Sequence, residues 1–246
     1  MGTFRFKKFE VVNERSAMKV NTDGVLLGAS MTIRPSDRYL LDIGTGTGTI
    51  ALMAAQRLEG MQTEHASVKM ISAIDIDEAS ATEAASNFTN SPWADRLQAF
   101  HSSLDDFSAA VGDLRYDLIF SNPPYFEDSL NAPEERRNNA RHTSTGLSYR
   151  EILDFASQYL AEEGRVSLVL PSDTENALFR HARMNGLHIF RILRIRTVPR
   201  KQPSRIIAEF SRMRTDSPED VILTIQNEGK YTQEYLSLMQ DFYLFA

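Results

Sequence analysis

Apolar and amphipathic segments alternate along most of this 246-residue chain, and this alternation limits the folds that it can adopt. Short apolar runs separated by segments with helical spacing predict parallel strands in one sheet, with helices on both faces. The predicted strands are 39–43, 69–75, 97–101, 116–121 and 165–170, and the predicted helices are 47–58, 78–88, 149–160 and 174–184. Two longer strands, 187–198 and 205–212, predict a late antiparallel hairpin. We therefore expect an α/β fold with a doubly wound, Rossmann-like, mostly parallel sheet of seven strands.

The length and composition are typical of one globular domain, which we expect to span residues 1–246. Within it, residues 1–36 are expected to cover substrate and cofactor, and residues 37–246 to form the Rossmann-like core. No apolar run approaches the roughly 20 residues of a membrane span, and residues 1–9 lack the apolar region of a signal peptide. We expect a cytoplasmic protein with no membrane association and no obligate protein partner.

The chain contains no cysteine, which excludes disulfides, thiol catalysis and cysteine-based metal sites. Its five histidines show no spacing typical of metal ligands, such as HExxH. We therefore expect no bound metal.

A glycine-rich turn links the first predicted strand to the first predicted helix. It reads Asp42-Ile43-Gly44-Thr45-Gly46-Thr47-Gly48. Glycines allow a ligand to approach the backbone closely, but dinucleotide sites prefer the spacing GxGxxG. A carboxylate two positions before the first glycine disfavours a pyrophosphate and suits a cationic ligand. S-adenosylmethionine (SAM) carries an ammonium and a sulfonium and no phosphate, so we predict that Asp42, Gly44, Gly46 and Gly48 bind SAM.

A second acid, Asp75, ends the next predicted strand and is placed to accept hydrogen bonds from two ribose hydroxyls. Ile76 follows it and could pack on an adenine ring. The alternative for Asp75 is the ordinary role of an acid that caps the next helix.

The tetrapeptide Asn122-Pro123-Pro124-Tyr125 follows the apolar strand 116–121. A planar, conjugated nitrogen is a poor nucleophile, and a catalyst can help it by accepting hydrogen bonds from its NH2 group. The side-chain oxygen of Asn122 and the backbone carbonyl of Pro123 can each accept one, and two prolines restrict the backbone. Tyr125 offers a face on which a base or amide can stack. The alternative is a proline-rich turn after a strand.

Basic residues are concentrated in the C-terminal third, although the net charge of the chain is −6. Residues 180–214 contain ten Lys or Arg and one acid, Glu209. A second basic cluster lies soon after the tetrapeptide. This pattern indicates a phosphate-contacting surface or, alternatively, a solvated charged face. The predicted RNA contacts are Arg136, Arg137, Arg141, Arg194, Arg196, Arg200, Lys201 and Arg205.

The glycine turn, the acid at the second strand end and the tetrapeptide occur in the order found in class I SAM-dependent N-methyltransferases, which the chain resembles. Further segments resemble bacterial tRNA1(Val) adenine-37 N6-methyltransferases, so that the resemblance covers essentially the whole chain. These segments are 4–9, 18–29, 91–94, 117–125, 140–143 and 242–245.

The resemblance implies an enzyme that methylates the exocyclic N6 of the adenosine beside a tRNA anticodon, with SAM as donor. It implies that Asn122, Pro123 and Tyr125 are catalytic, that Asn122 also adjoins the cofactor, and that Lys19 and Thr22 close over SAM. The alternative for Lys19 and Thr22 is an N-terminal helix cap. The family usually has an acid at the end of the third strand, where this chain has Ser103, which we predict to take its place beside the SAM adenine.

Other acceptors with a planar nitrogen remain open. A release-factor N5-glutamine methyltransferase uses the same tetrapeptide, but it carries a helical domain before the glycine turn, where this chain has about 40 residues. An rRNA guanine N2-methyltransferase is a further alternative. A non-catalytic RNA-binding module would not need Asp42, Gly44, Asp75 and Asn122 together, and a nucleotide-dependent oxidoreductase is disfavoured by the glycine spacing.

Overall fold

The computed structural model describes residues 2–16, 18–61, 70–124 and 147–246, and it is organised around one central sheet of eight strands. The strands of this sheet, in chain order, are β3 (Tyr39–Ile43), β4 (Met70–Asp75), β5 (Leu97–His101), β6 (Tyr116–Ser121), β7 (Leu160–Pro171), β8 (His188–Arg196), β9 (Arg205–Ser211) and β10 (Glu219–Thr224). Two short hairpins lie outside it: β1 (Thr3–Arg5) with β2 (Glu10–Val12), and β11 (Gln226–Asn227) with β12 (Lys230–Tyr231).

The order of strands across the sheet is β10-β8-β9-β7-β6-β3-β4-β5. Strands β3 to β7 pair in parallel, whereas β9 runs antiparallel to both β7 and β8. The predicted doubly wound α/β fold and its late hairpin are therefore confirmed. The strand order reverses at β3, and such switch points form ligand crevices at the carboxyl ends of the strands.

The predicted count of seven strands is too low by one, because β10 adds an eighth strand parallel to β8. The apolar run of β10 is only three residues long, Val221 to Leu223, and four of the six β10 residues are exposed at the edge of the sheet. Its place in the sheet depends on pairing with β8, which sequence periodicity does not report.

Helices cover both faces of the sheet. In chain order they are α1 (Thr22–Ser30), α2 (Thr49–Glu59), α3 (Glu78–Thr89), α4 (Leu104–Ala110), α5 (Tyr149–Tyr159), α6 (Glu175–Met184) and α7 (Gln233–Met239). One apolar core lies beneath α1, α2, α3 and α7, and a second lies beneath α5 and α6. The apolar residues of β3 alternate between the two cores, with Leu40 in the first and Leu41 in the second.

Two side chains of α3 attach the N-terminal part of the chain to the core. The buried carboxylate of Glu83 accepts hydrogen bonds from the backbone N–H groups of Glu14, Arg15 and Ser16, at 2.7–2.9 Å. The amide of Asn87 accepts from the N–H of Val12 and donates to its carbonyl, both at 2.9 Å. These bonds hold the N-terminal connector, by which we mean residues 13–16 and 18–21 between β2 and α1, against α3.

The far end of α1 is held by a buried acid of β9. Glu209 accepts hydrogen bonds from the backbone N–H and the hydroxyl of Thr32, at 2.8 and 3.0 Å. Arg191 pairs with the same carboxylate at 2.6 Å, which supplies the partner that a buried charge requires. Helix α1 is thus fixed at both ends, by the connector and by the sheet.

Gly48, the last glycine of the predicted turn, has no room for a side chain. Its φ is +80°, and an added Cβ would lie 2.5 Å from the ring of the buried Phe88. We expect Gly48→Ala to lower the free energy of unfolding by roughly 2–4 kcal/mol, from left-handed strain together with overpacking.

The matched control is Gly112→Ala. Gly112 also has a left-handed φ, +61°, but among the described residues no atom lies within 4 Å of an added Cβ. Backbone strain alone should cost about 1 kcal/mol there. Urea denaturation of the two variants compares these losses, and equal losses would show that contact with Phe88 does not matter.

Candidate active site

The glycine turn between β3 and α2 is built from backbone conformations that favour glycine. Gly44, Gly46 and Gly48 have φ values of +72°, +56° and +80°. The N–H groups of Gly44 and Thr45 both donate to the carbonyl of Ile74, at 2.9 and 3.0 Å, so the turn is tied to the end of β4. The three predicted glycines therefore form one rigid loop at the switch point of the sheet.

Asp75 holds the middle of this turn. Its Oδ2 accepts from the N–H of Gly46 at 2.8 Å, and its Oδ1 accepts from the N–H of Asp77 at 2.9 Å. Partial burial raises the pKa of Asp75. A carboxylate oxygen can accept more than one hydrogen bond, so both retain capacity for a ribose diol. Ile76 follows at the rim and is 70% exposed, as a surface for a ring would be.

Asp42 lies beneath the turn rather than in the wall of the cleft. It is fully buried, and its Oδ2 accepts from the hydroxyl of Thr45 at 2.7 Å. Among the described residues its Oδ1 has no hydrogen-bond partner. Burial raises the pKa of Asp42 to about 7. Asp42, which we predicted to face a cationic ligand, is therefore connected to the cleft by its hydrogen bond with Thr45.

Asn122 follows β6 at the same edge of the sheet. The hydroxyl of Ser121 donates to the carbonyl of Ile43 at 2.6 Å, which fastens the end of β6 to the end of β3. The buried side chain of Asn122 donates from Nδ2 to Oδ1 of Asn21 at 3.3 Å and to the sulfur of Met18 at 3.6 Å. Pro123 is buried and Pro124 half-buried, whereas the predicted stacking residue Tyr125 lies outside the described residues.

A narrow cleft joins these elements. It is lined by parts of residues 18–25 and 44–50 and by Asn122. An added Cβ on Gly46 would lie 3.4 Å from the hydroxyl of Ser16, so the N-terminal connector lies directly over the turn. The cleft therefore brings together the predicted residues Lys19, Gly44, Gly46 and Asn122.

The predicted residues Lys19 and Thr22 differ in their place relative to this cleft. Lys19 lines it, and its Nζ donates to the carbonyl of Glu14 at 2.8 Å. Thr22 is the first residue of α1, whose cap is Asn21. Lys19 could pair with a ligand carboxylate, whereas Thr22 occupies the helix start that the alternative interpretation expected.

Ser103 caps a helix. Its hydroxyl oxygen accepts from the N–H of Asp106 at 3.0 Å and so caps α4, and the hydroxyl donates to the Asp106 carboxylate at 2.7 Å. The end of β5 is nevertheless close to the turn through β4, because the N–H of Ser102 donates to the carbonyl of Asp75 at 2.9 Å. Acceptor oxygens are thus present at this strand end, but the Ser103 hydroxyl is already engaged in the cap.

The predicted RNA-contacting residues divide into four groups. Arg194 pairs with Glu175 at 2.6 Å and Asp220 at 2.8 Å, which raises its pKa, and Arg205 pairs with Asp23 at 2.9 Å. Arg196 donates to the hydroxyl of Thr224. The remaining two on this side are exposed on the β8–β9 loop: Arg200 and Lys201. Three lie outside the described residues: Arg136, Arg137 and Arg141.

Sequence reasoning did not assign a site role to Asn21, Met18, Thr45 or Thr47, although all four line the cleft. Asn21 could have been identified as a helix cap, because it precedes the apolar start of α1. Its contact with Asn122, 101 residues away, has no signal in the local sequence.

The residues of the cleft fit SAM. The glycine floor, the lysine in the wall and the orphaned carboxylate oxygen of Asp42 beneath the floor suit the amino-acid part. The half-buried carboxylate of Asp75 suits the ribose, and the exposed Ile76 beside it suits the adenine ring. Within the described residues no group of three or more His, Asp or Glu is arranged to hold a metal ion. No helix in that part of the chain is long and apolar enough to cross a membrane.

Comparisons with solved structures agree with the fold. A predicted O-methyltransferase from Agrobacterium tumefaciens aligns with a TM-score of 0.63 over 89% of this chain and 96% of its own, at 16% identity. The T. thermophilus 16S rRNA N2 methyltransferase in complex with AdoMet and guanosine aligns with a TM-score of 0.54 over 86% of this chain and 50% of its own, at 19% identity. The fold is that of the class I SAM-dependent methyltransferases.

Sequence comparisons give the family. The model of the "Methyltransferase small domain" family matches residues 16–178. A tRNA1(Val) (adenine(37)-N6)-methyltransferase from Bacteroides fragilis is 40% identical over 98% of this chain and 97% of its own, and one from Parabacteroides distasonis is 41% identical over the same shares. The chain belongs to the tRNA1(Val) (adenine(37)-N6)-methyltransferase family.

The buried Asp42 generates a prediction about pH. Because its pKa in the folded protein, about 7, lies above the ordinary value of 3.8, the folded state binds the proton more tightly than the unfolded state. This contribution to stability is complete below pH 3.8 and is lost as the pH rises through about 7. Asp42→Asn keeps an acceptor for Thr45 but cannot ionise. We expect its free energy of unfolding, relative to that of wild type, to rise by roughly 2–4 kcal/mol between pH 4 and pH 8.

The measurement is the free energy of unfolding by urea across this pH range. Asp113→Asn, which removes the same charge at an exposed position, is the matched control and should follow the wild-type profile. Parallel profiles for Asp42→Asn and wild type would contradict the assignment of a buried, proton-binding carboxyl.

Proposed function

We propose that this chain transfers the methyl group of SAM to the exocyclic N6 of adenosine 37 in tRNA1(Val). The observation that carries the proposal is the meeting of Asn122 and the glycine turn in one cleft, at the switch point of a methyltransferase sheet. Full-length relatives that bear this activity in their names support the choice of acceptor.

The proposed chemistry depends on positioning. When bound, SAM supplies an electrophilic methyl group. Oδ1 of Asn122 and the carbonyl of Pro123 accept hydrogen bonds from the adenine NH2 group, which orients the nitrogen lone pair for in-line attack. Tyr125 is assigned from the sequence to stack on the adenine, which must first leave the anticodon-loop stack at a cost of a few kcal/mol. The proposal gives no step to a metal or a covalent nucleophile, and the N6 proton is lost after transfer.

The remaining site residues are assigned to SAM. Gly44 and Gly46 line the floor, and Gly48 completes the turn on its side facing Phe88. Asp75 accepts from the ribose hydroxyls, Ile76 packs on the adenine, and Lys19 faces the amino-acid portion. Asp42 supports the ammonium end indirectly, through its hydrogen bond with the hydroxyl of Thr45, which lines the cleft. In this assignment Ser103, which follows β5, lies near the SAM adenine, while its hydroxyl caps α4.

We further propose that the anticodon stem-loop docks on the β8–β9 loop. Strand β8 runs parallel to β6 and β7, because both β7 and β8 are antiparallel to β9, so this loop lies at the same sheet edge as Asn122. Arg200 and Lys201 are exposed there. The ion pair between Arg205 and Asp23 joins the end of this loop to the start of α1 beside the cleft. The absence of cysteine agrees with a cytoplasmic enzyme.

Neither alternative acceptor gains support from the comparisons. The rRNA guanine N2 enzyme matches at 19% identity, and a similarity at that level indicates only a shared fold. The relatives that match over nearly their whole length bear names of tRNA adenine methyltransferases and not of release-factor enzymes.

The first test replaces the proposed hydrogen-bond acceptor. We expect Asn122→Ala to abolish methylation of unmodified tRNA while SAM still binds, because the cleft floor is unchanged. Labelled SAM is incubated with tRNA, rRNA and release factor, and SAM binding is followed by calorimetry. Asn90→Ala, at an exposed helix end, is the matched control. Full activity of Asn122→Ala would overturn the mechanism, and label in release factor alone would favour the glutamine reaction.

The second test addresses docking. We expect Arg200→Glu/Lys201→Glu to weaken tRNA binding and to reduce the slope of log K against log salt by about two, since each cation contacts about one phosphate. Arg115→Glu/Arg183→Glu makes the same charge change near the opposite edge of the sheet, before β6 and at the end of α6, and is the matched control. An unchanged slope in the first variant would remove the β8–β9 loop from the docking surface.

A further inference from the structure

The side chain of Asn122 can do its proposed work in only one of two orientations. An amide presents an acceptor oxygen on one side and a donor NH2 on the other. Only the oxygen can accept from the adenine amino group, and a rotation of the amide by half a turn would present two donors to each other. What selects this orientation matters for catalysis if Asn122 has its proposed role, on which this inference rests.

The neighbouring amide of Asn21 has an orientation that the backbone determines. Its Oδ1 accepts from the N–H of Gly24 at 2.8 Å, and its Nδ2 donates to the carbonyl of Lys19 at 3.0 Å. A backbone N–H can only donate and a backbone carbonyl can only accept. Rotation of the Asn21 amide by half a turn would break both bonds, because it would place the NH2 group against an N–H and the oxygen against a carbonyl. The two backbone groups therefore determine which side of the amide carries the oxygen.

The orientation of the Asn21 amide determines that of the Asn122 amide. The Oδ1 atom of Asn21 also faces Asn122 at 3.3 Å, and a group that faces this oxygen must be a donor. Nδ2 of Asn122 is that donor, and the sulfur of Met18, a weak acceptor, lies on the same side at 3.6 Å. The carbonyl oxygen of Asn122 therefore points away from Asn21, because it is the other of the two atoms at the end of the amide.

We propose that Asn21 is a positioning residue for methyl transfer, which selects the orientation of the Asn122 amide in which Oδ1 accepts from the substrate amino group. The bond also connects the two elements that must be in place together. Asn21 caps α1 at the end of the N-terminal connector, and Asn122 follows β6. A connector that is seated on the glycine turn thus also orients the acceptor.

The geometry around Gly24 agrees with a close three-way contact. A Cβ added to Gly24 would lie 3.5 Å from Oδ1 of Asn21 and 3.6 Å from Nδ2 of Asn122. The first turn of α1 therefore packs directly against both amides. The burial of Asn122 strengthens the preference, because a buried NH2 without an acceptor is costly.

The test compares two substitutions that both preserve the helix cap. Serine and aspartate are good capping residues, but the serine hydroxyl is too short to cap α1 and reach Asn122 together. Aspartate keeps an oxygen in the place of Oδ1, which accepts from both Gly24 and Asn122, and loses only the bond to the Lys19 carbonyl. We expect Asn21→Ser to lower kcat for tRNA methylation about threefold to tenfold, as the loss of one orienting hydrogen bond implies. KM for tRNA and the calorimetric Kd for SAM should change less than about twofold, and Asn21→Asp should retain most of kcat.

A second readout does not depend on activity. The side-chain NH2 signals of Asn122, assigned by their loss in Asn122→Asp, should shift and exchange faster with solvent in Asn21→Ser but not in Asn21→Asp. In the Asn122→Asp background there is no amide to orient, so adding Asn21→Ser should cause no further fall in kcat.

The outcomes separate the two proposals. Wild-type kcat in Asn21→Ser, or equal losses in Asn21→Ser and Asn21→Asp with a matching fall in Tm, would overturn the positioning role. If Asn122→Ala is inactive while Asn21→Ser is indistinguishable from wild type, the proposed function stands and the inference fails. If Asn122→Ala is fully active, the proposed role of Asn122 fails, and the inference falls with it.

Discussion

The left-handed glycine turn between β3 and α2 is the constraint on which the active site depends. Its conformation is held by the Asp75 carboxylate at the N–H of Gly46 and by the Ile74 carbonyl, so the ends of β3 and β4 form one unit. The ring of Phe88 leaves no space beside Gly48. Because Ser121 fastens β6 to the end of β3, Asn122 is placed with reference to the same unit.

A second layer is built on this floor from residues that are distant in the sequence. Glu83 holds the N-terminal connector through three backbone N–H groups, and Glu209 holds the far end of α1 through Thr32. Between these two attachments, Asn21 contacts Asn122. Both attachments are buried acids saturated by hydrogen bonds, which makes them costly to disrupt and gives the cover of the cleft a definite position.

Basic residues show the limit of counting charges along a chain. Ten Lys or Arg between 180 and 214 predicted a phosphate-contacting surface, but Arg194 and Arg205 form ion pairs with acids from other elements. Their partners Glu175, Asp220 and Asp23 lie 19, 26 and 182 residues away, so no local pattern reports the pairing. Of the five predicted RNA contacts in this stretch, Arg200 and Lys201 are the exposed ones, and Arg196 is bonded to Thr224.

By itself, the sequence determined the doubly wound sheet, the glycine turn, Asp75 and the Asn122 motif, because strand periodicity and turn chemistry are local properties of the chain. Only the tertiary structure decided that β10 extends the sheet, that Asp42 lies beneath the turn and that Ser103 caps α4. It also brought Asn21 against Asn122. Edge pairing, burial and the direction of a hydrogen bond depend on which distant segments meet, and a linear pattern does not contain that information.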